Sequence, residues 1–404
     1  MTTDLRNYLT VTGGYWAFTL TDGAIRMLVV LYFHQLGYGA FAIASLFLFY
    51  EFFGIITNLV GGYLASRLGL NVTMHLGMAL QVLALLLLTV PESWLSVAYV
   101  MGAQALSGVA KDLNKMSAKA SVKTLVADEQ NAQLFKWVAI LTGSKNALKG
   151  VGFFLGAALL AGFGFQGALI VLATGLACVL FITWLLLPND LGKTKAKPKF
   201  TQIFSHTAAI NWLSAARFFL FGARDVWFVV ALPVFLHSVL DWSFTQVGGF
   251  MALWVIAYGF VQASAPTLLR KQAHGPQSAL VKQWALLLML IPALMALLLH
   301  LDYSPSVIII AGLALFGVVF AINSALHSYL ILAYAEGDKV SMNVGFYYMA
   351  NAGGRLTGTV LSGWGYQQFG MEGCLWLSAG FVGAAFLLSL LLPPEHSKNN
   401  LQQA

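Results

Sequence analysis

The chain has 404 residues, of which 59% are apolar and only 9% charged, with a formal net charge of +7. So few charges cannot clothe a soluble protein of this size, which makes the sequence that of an integral membrane protein. The positive balance does not point to nucleic acid, because much of it falls in short loops where anionic lipid attracts it.

About twelve apolar stretches, each long enough to cross a bilayer as a helix, follow one another along the chain. They run over 13–36, 43–65, 74–90, 97–118, 134–160, 167–187, 209–236, 245–268, 280–299, 307–335, 342–366 and 373–392. The fold class expected is therefore all-α and transmembrane. The first stretch has no basic run ahead of it and no small-residue cleavage site behind it, and it carries Asp22 and Arg26. It reads as a span that stays in the mature protein rather than a signal peptide. Cys178 and Cys374 both fall inside spans, where they read as packing residues and not as a disulfide or metal pair.

With the N-terminus inside, the outer turns 91–96, 161–166, 237–244, 300–306 and 367–372 contain no Lys or Arg. The inner segments hold Arg6, Arg67, Lys123, Lys193, Lys195, Lys197, Lys199, Arg270, Lys271, Lys339 and Lys398, and Lys119, Lys136 and Lys282 lie at inner helix ends. This asymmetry predicts cytoplasmic termini and a multi-pass protein of the cell's inner (plasma) membrane.

The polar segment 188–206, with its run of lysines, divides the chain into halves 1–187 and 207–404 and reads as a cytoplasmic linker. Lys149-x-x-Gly152 followed by Gly164-x-x-Gly167 matches Arg355-x-x-Gly358 followed by Gly370-x-x-Gly373 at a constant offset of 206 residues. Helices five and eleven are thus expected to be repeat mates. Two parallel six-span repeats with a site near the midplane is a known transporter plan, the major facilitator architecture.

Five basic residues, Arg26, Lys111, Lys149, Arg224 and Arg355, sit near the middle of otherwise apolar spans. A cation there costs about 2.5 to 3.5 kcal/mol on insertion scales, so several imply an aqueous cavity and an anion to meet them. Helical phase supports this. Lys111, Lys115 and Lys119 share one stripe, Asn343, Tyr347, Asn351 and Arg355 another, Lys145 shares a face with Lys149, and Arg217 shares one with Arg224. Internal pairing is the competing reading, with Asp22 serving Arg26 and Asp112 serving Lys115. Glu51 and Asp225 then face Lys111, Lys145, Lys149, Arg217, Arg224 and Arg355. Even if Lys145 and Arg217 snorkel to the inner interface, about four central cations remain.

The substrate-binding residues expected are Arg26, Lys111, Lys145, Lys149, Arg224 and Arg355, with Asn351, Tyr347, Asn323 and His327 beside them. Lys149 and Arg355 are expected to act as partners across the halves during alternating access. Arginine offers a planar fork to two oxygens of a phosphate-like group and lysine a compact charge, so an anion with two charged ends can use both. His327 can alternatively be a hydrogen-bonded histidine between helices. Asp22, Glu51, Asp112 and Asp225 are the candidates for proton coupling. Tyr32, His34, Tyr50 and Trp227 read as packing or interface anchors.

Gly162-Phe163-Gly164-Phe165-Gln166-Gly167 matches G-x-G-x-x-G but falls between two spans with no strand before it, so it reads as a turn. No catalytic constellation, metal cluster or P-loop lies outside the spans, so the chain is expected not to be an enzyme and to need no cofactor. Its energy source is then an ion gradient, an exchanged anion or the substrate's own gradient.

The inner turn Gly62-Tyr63-Leu64-Ala65-Ser66-Arg67-Leu68-Gly69-Leu70-Asn71 is similar to the loop signature G-x-x-x-D-R-x-G-R-R of the major facilitator superfamily. Ser66 stands where the signature has its acid and Leu70-Asn71 where it has its basic pair, which weakens the usual gating contact. More specific stretches are spread along the chain: Tyr15-Trp16-Ala17-Phe18-Thr19-Leu20-Thr21-Asp22-Gly23-Ala24, Ala110-Lys111-Asp112-Leu113-Asn114-Lys115-Met116-Ser117-Ala118-Lys119, Leu141-Thr142-Gly143-Ser144-Lys145-Asn146-Ala147-Leu148-Lys149-Gly150, Phe221-Gly222-Ala223-Arg224-Asp225-Val226-Trp227 and Gly345-Phe346-Tyr347-Tyr348-Met349-Ala350-Asn351. Together they resemble the ArsJ family of organoarsenical efflux permeases.

That resemblance implies export of 1-arseno-3-phosphoglycerate and resistance to arsenate. Glyceraldehyde-3-phosphate dehydrogenase would be a functional partner that makes this molecule from arsenate, with no binding between the two proteins implied. The acyl arsenate would hydrolyse once outside. From the residues alone, an organophosphate/phosphate antiporter of the same fold stays open, needing the same basic cavity but no proton-linked carboxylate. A receptor-like protein signalling through the linker lacks an appended domain, and a cationic drug exporter has the wrong cavity charge.

Overall fold

The structure, a computed structural model, describes residues 3–38, 46–125, 131–188, 207–229, 231–242, 244–269, 277–335 and 340–394. The lysine-rich linker beyond Pro188 and the inner-loop cations Arg270, Lys271, Lys339 and Lys398 lie outside these residues. Among those described, regular structure is helical throughout, with no strand and a single 3-10 turn at Glu92–Trp94.

In chain order the helices are α1 (Thr3–Gln35), α2 (Leu48–Leu68), α3 (Leu70–Leu87), α4 (Val97–Leu125), α5 (Asn131–Leu186), α6 (Ala208–Phe228), α7 (Ala231–Ser238), α8 (Phe244–Leu268), α9 (Gln277–His300), α10 (Pro305–Tyr334) and α11 (Val340–Ser389). A straight helix of 56 residues, the length of α5, would far exceed the roughly 30 Å of a bilayer's hydrocarbon core. It bends at Gly164 (φ 67°, ψ −179°), and the 50-residue α11 bends in the same way at Gly370 (φ 65°, ψ −162°). Both conformations belong to glycine alone. Each of these helices therefore supplies two spans, which brings the spans to the twelve read from the sequence. The glycine-rich run around Gly164 is this bend, as its place between two spans predicts.

The expected span 209–236 is carried by two helices, α6 and α7, and the Ser362 hydroxyl accepts from the Ala231 N–H (3.1 Å) where α7 begins. Among the described residues six spans pass on length and apolarity alone, within 70–87, 158–186, 249–268, 277–300, 305–334 and 342–389. Helices α1, α4 and α6 are the ones that carry Asp22 and Arg26, Lys111 to Lys119, and Arg217 to Asp225. The buried charges sit on the spans that apolarity alone does not single out.

The chain resolves into two compact units. Unit 1 comprises Met1–Val126, Ser144–Ser205 and Glu336–Met349; unit 2 comprises Ala127–Gly143, His206–Ala335 and Ala350–Ala404. In unit 1 the core is built on Ile25, Leu28, Phe33, Leu85, Leu88 and Leu169. In unit 2 it is aromatic: Trp227 meets Trp254 and Phe316 edge to face, at ring separations of 5.6 and 5.1 Å. The Trp254 indole N–H donates to the Leu313 carbonyl (2.8 Å), so its polar edge is satisfied inside the core. Large side chains such as Phe52, Leu253 and Phe260 point outward, which suits lipid and not water.

The repeat seen in the sequence acts as a packing device. A Cβ at Gly152 would lie 2.6 Å from the Leu20 carbonyl and 3.1 Å from Gly23 Cα, so α5 rests on α1 at backbone distance. Its mate Gly358 would place a Cβ 2.6 Å from the Gly222 carbonyl and 3.0 Å from Asp225 Cβ, setting α11 on α6. Each contact lies three residues after a basic side chain, Lys149 in one unit and Arg355 in the other.

Candidate functional site

In unit 1 the close contact of α1 with α5 brings Lys149 to Asp22, with Nζ 3.5 Å from Oδ2. The other carboxylate oxygen, Oδ1, accepts from the Tyr50 hydroxyl at 2.5 Å. Next to Tyr50 on α2, Glu51 accepts from Arg26 Nη2 through Oε1 (3.0 Å) and lies 3.8 Å from Lys111 Nζ through Oε2. Asp112 on α4 takes Lys115 at 2.5 Å and Lys111 at 3.6 Å. Gly54 makes room for that carboxylate: a Cβ there would fall 2.7 Å from Asp112 Oδ2.

Aromatic rings seat the same cations. Arg26 Cζ lies 4.0 Å and Lys111 Nζ 3.9 Å from the Tyr50 ring centroid, and Lys115 Nζ lies 4.2 Å from that of Tyr348. The Asp112 side chain is 1% exposed while those of Lys149 and Arg26 are 19% and 21% exposed. Asp112 is therefore sunk deeper among the helices than Lys149 and Arg26, whereas Glu51 (14%) and Lys111 (12%) are about equally exposed.

Unit 2 is simpler. Asp225 on α6, 1% exposed, holds two guanidinium groups. Arg224 binds Oδ1 through both Nε (2.6 Å) and Nη2, and Arg355 donates from Nε to Oδ2 (3.0 Å). Deeper in the unit, Arg217 donates from Nε to Asn351 Oδ1 (2.9 Å) and from Nη1 to Ser324 Oγ (3.2 Å), with its Cζ 3.7 Å from the Phe221 ring centroid. Gln262 donates to the same serine hydroxyl at 3.0 Å. Asn323 and His327 are fully buried on α10, and both amide atoms of Asn323 and Nδ1 of His327 have no hydrogen-bond partner among the described residues. Such orphaned polar atoms are costly in an apolar interior.

Two readings of the sequence need correction. Asp22 and Arg26 are one turn apart, but Asp22 engages Tyr50 and Lys149 while Arg26 engages Glu51: helix packing offers both a partner on a neighbouring helix. Arg217 does not snorkel. It is 2% exposed, because Asn351, Ser324 and the Phe221 ring give it a polar berth inside the unit. Lys119, expected at a helix end, is equally buried. The pairing of Asp112 with Lys115 is found as expected.

Of the substrate-binding candidates, Arg26, Lys111 and Lys149 gather in unit 1, and Arg224, Arg355 and Asn351 in unit 2. Lys145 is half-buried one turn before Lys149, and Tyr347 is fully buried with its ring edge to face with Tyr348. Tyr50 was missed, since an isolated tyrosine in an apolar span carries no signal; only the adjacency of Glu51 hinted at it. Ser324 and Gln262 were missed for the same reason. Among the described residues no group of His, Cys, Asp and Glu is placed to hold a metal ion. The arrangement can exchange internal carboxylates for the oxygens of an incoming anion.

A family profile described as Major Facilitator Superfamily matches residues 11–325 and 280–404. Among solved structures, the human organic anion transporter MFSD10 (TETRAN) superposes with a TM-score of 0.76 at 17% identity, over 96% of this chain and 100% of that one. A bacterial homologue of the iron transporter ferroportin, outward-facing, gives 0.75 at 16% identity over 96% and 99%. The proton:xylose symporter XylE gives 0.75 at 13% identity over 98% and 97%. No curated protein matches the sequence.

Proposed function

The chain belongs to the major facilitator superfamily, and from that premise we propose that it is an efflux permease for an organic arsenate or phosphate anion, 1-arseno-3-phosphoglycerate first among them. It is a multi-pass membrane protein of transporter fold and not an enzyme. That fold serves an organic anion transporter, a homologue of an iron transporter and a sugar symporter, so the cargo has to be argued from the charges.

The observation that carries the reading is the state of the central cations. Six of them, Arg26, Lys111, Lys115, Lys149, Arg224 and Arg355, are held on four carboxylates by contacts of 3.8 Å or less. Cations thus outnumber the carboxylates that hold them, an excess of positive charge that suits an anion whose oxygens can take the place of the acids'. A phosphate or arsenate group suits the forked guanidinium groups of Arg224 and Arg355, and the compact charges of Lys111 and Lys149 suit a second anionic group. The sequence stretches that resemble the ArsJ family contain Lys111, Lys115, Lys149 and Arg224, which supports the arsenylated cargo. Asn323, His327, Asn351, Tyr347 and Lys145 complete the proposed set, with Lys149 and Arg355 acting on one substrate during alternating access. Asp22, Glu51, Asp112 and Asp225 are proposed to carry the coupling proton once released. The protein would sit in the inner membrane with cytoplasmic termini and depend on glyceraldehyde-3-phosphate dehydrogenase for its cargo.

The test is arsenic accumulation and arsenate resistance in cells lacking their own glyceraldehyde-3-phosphate dehydrogenase, expressing this chain with or without that enzyme. Reduced accumulation with the enzyme alone is expected. Reduced accumulation without it would mean direct arsenate export. No effect in either case, together with uptake of 3-phosphoglycerate driven by phosphate-loaded vesicles, would favour the phosphate antiporter.

A further inference from the structure

We propose that Tyr50 is the positioning residue of the unit 1 cluster, a buried ring that ties the Asp22–Lys149 pair to the Arg26–Glu51–Lys111 set so that both respond together when an anion arrives. Its purpose rests on the anion-transport reading above; its geometry does not.

Tyr50 is fully buried. Its hydroxyl reaches Asp22 at 2.5 Å, and its ring lies within 4.0 Å of both Arg26 Cζ and Lys111 Nζ. Those two cations also share Glu51, the next residue along. The group is thereby faced by Asp22 and Arg26 from α1, Lys111 from α4 and, through Asp22, Lys149 from α5. Asp22 meets the hydroxyl, and Arg26 and Lys111 lie over the ring of this one side chain.

The backbone beneath the ring cannot yield. A Cβ at Gly108 would fall 2.9 Å from Tyr50 Cα, so α4 is pressed against α2 at this level. Only the Tyr50 side chain can move. An anion that draws Arg26 and Lys111 from Glu51 takes away the cations that hold the ring, and the ring carries its hydroxyl off Asp22 when it tilts. Asp22 then depends on Lys149 alone. Conversely, loss of Lys149 frees Asp22 and loosens the anchor of the ring on which Arg26 rests. A contact chain in which both sites bias one movable group is the physical basis of coupling.

The experiment uses the purified full chain and phenylglyoxal, which attacks accessible guanidinium groups, with Arg26 modification read by peptide mass spectrometry. Lys149→Gln is expected to change the Arg26 modification rate about threefold in the presence of Tyr50 and to leave it unchanged in the Tyr50→Phe background, as for directly coupled sites. An equal response in both backgrounds, or none in either, overturns the proposal. If Tyr50→Phe does not fold, Asp22→Ala removes the acceptor of the Tyr50 hydroxyl and cuts the same link from the carboxylate side, and it is expected to abolish the response too. A parallel assay follows arsenic uptake into everted vesicles supplied with glyceraldehyde-3-phosphate dehydrogenase, its substrate and arsenate. Tyr50→Leu is expected to raise half-saturation about tenfold with the maximal rate kept, an affinity loss of about 1.4 kcal/mol, and Tyr50→Phe, which keeps the ring, much less. Absence of uptake by the unaltered protein with the labelling response intact would sink the proposed cargo and leave the role of Tyr50 standing.

Discussion

The two clusters solve the same problem in different ways. In unit 1, Asp22, Glu51 and Asp112 come from three helices and share four cations, with Tyr50 and Tyr348 as further seats. In unit 2, Asp225 takes Arg224 on one oxygen and Arg355 on the other. A distributed network can lose one member and redistribute its contacts, whereas a single shared carboxylate cannot. The repeat preserved the position of the basic residue, Lys149 against Arg355, and left each unit to find its own counter-charge.

That contrast can be broken most forcefully at Asp225. Asp225→Ala removes the carboxylate shared by two partly buried guanidinium groups and is expected to cost about 3 to 5 kcal/mol, read as a loss of thermal stability of the purified protein. Asp22→Ala removes the carboxylate beside Lys149 and the acceptor of the Tyr50 hydroxyl, with an expected cost of about 1 to 3 kcal/mol. Equal losses from the two would show that the networks are not organised differently.

The shared part of the design is tested at the glycine contacts. Gly152→Val and Gly358→Val each push a side chain into a carbonyl 2.6 Å from the Cβ position, and each is expected to destabilise by about 1 to 3 kcal/mol. Similar values for the pair would sharpen the view that the repeat is a packing unit. Gly164→Ala and Gly370→Ala force a left-handed φ on a residue with a side chain and are expected to cost about 1 to 2 kcal/mol each by the same measurement. Smallest is the surface pair of unit 2, where His300 Nδ1 lies 3.3 Å from Glu372 Oε1 with both side chains well exposed. Glu372→Gln should change stability by less than about 0.5 kcal/mol.

The sequence by itself determined the membrane class, the number of spans and the repeat, because apolar run length and glycine spacing are properties of the chain read locally. It also located the charges inside the spans, since an ionisable residue in an apolar span is conspicuous wherever the helix goes. The pairing of Asp112 with Lys115 was legible for the same local reason, as both lie on one helix. Partners on other helices were not. Asp22 meets Lys149 and not Arg26, and Arg217 is buried and not snorkelled, because backbone contacts at Gly23, Gly152 and Gly222 fix which helix faces which. Tyr50 is the clearest case: its composition is unremarked in an apolar span, and only the registration of α2 against α1 and α4 makes it a hub. Tertiary structure decided these matters because the partner of a buried charge is set by the rotation and depth of neighbouring helices, and no pattern within a single helix encodes those.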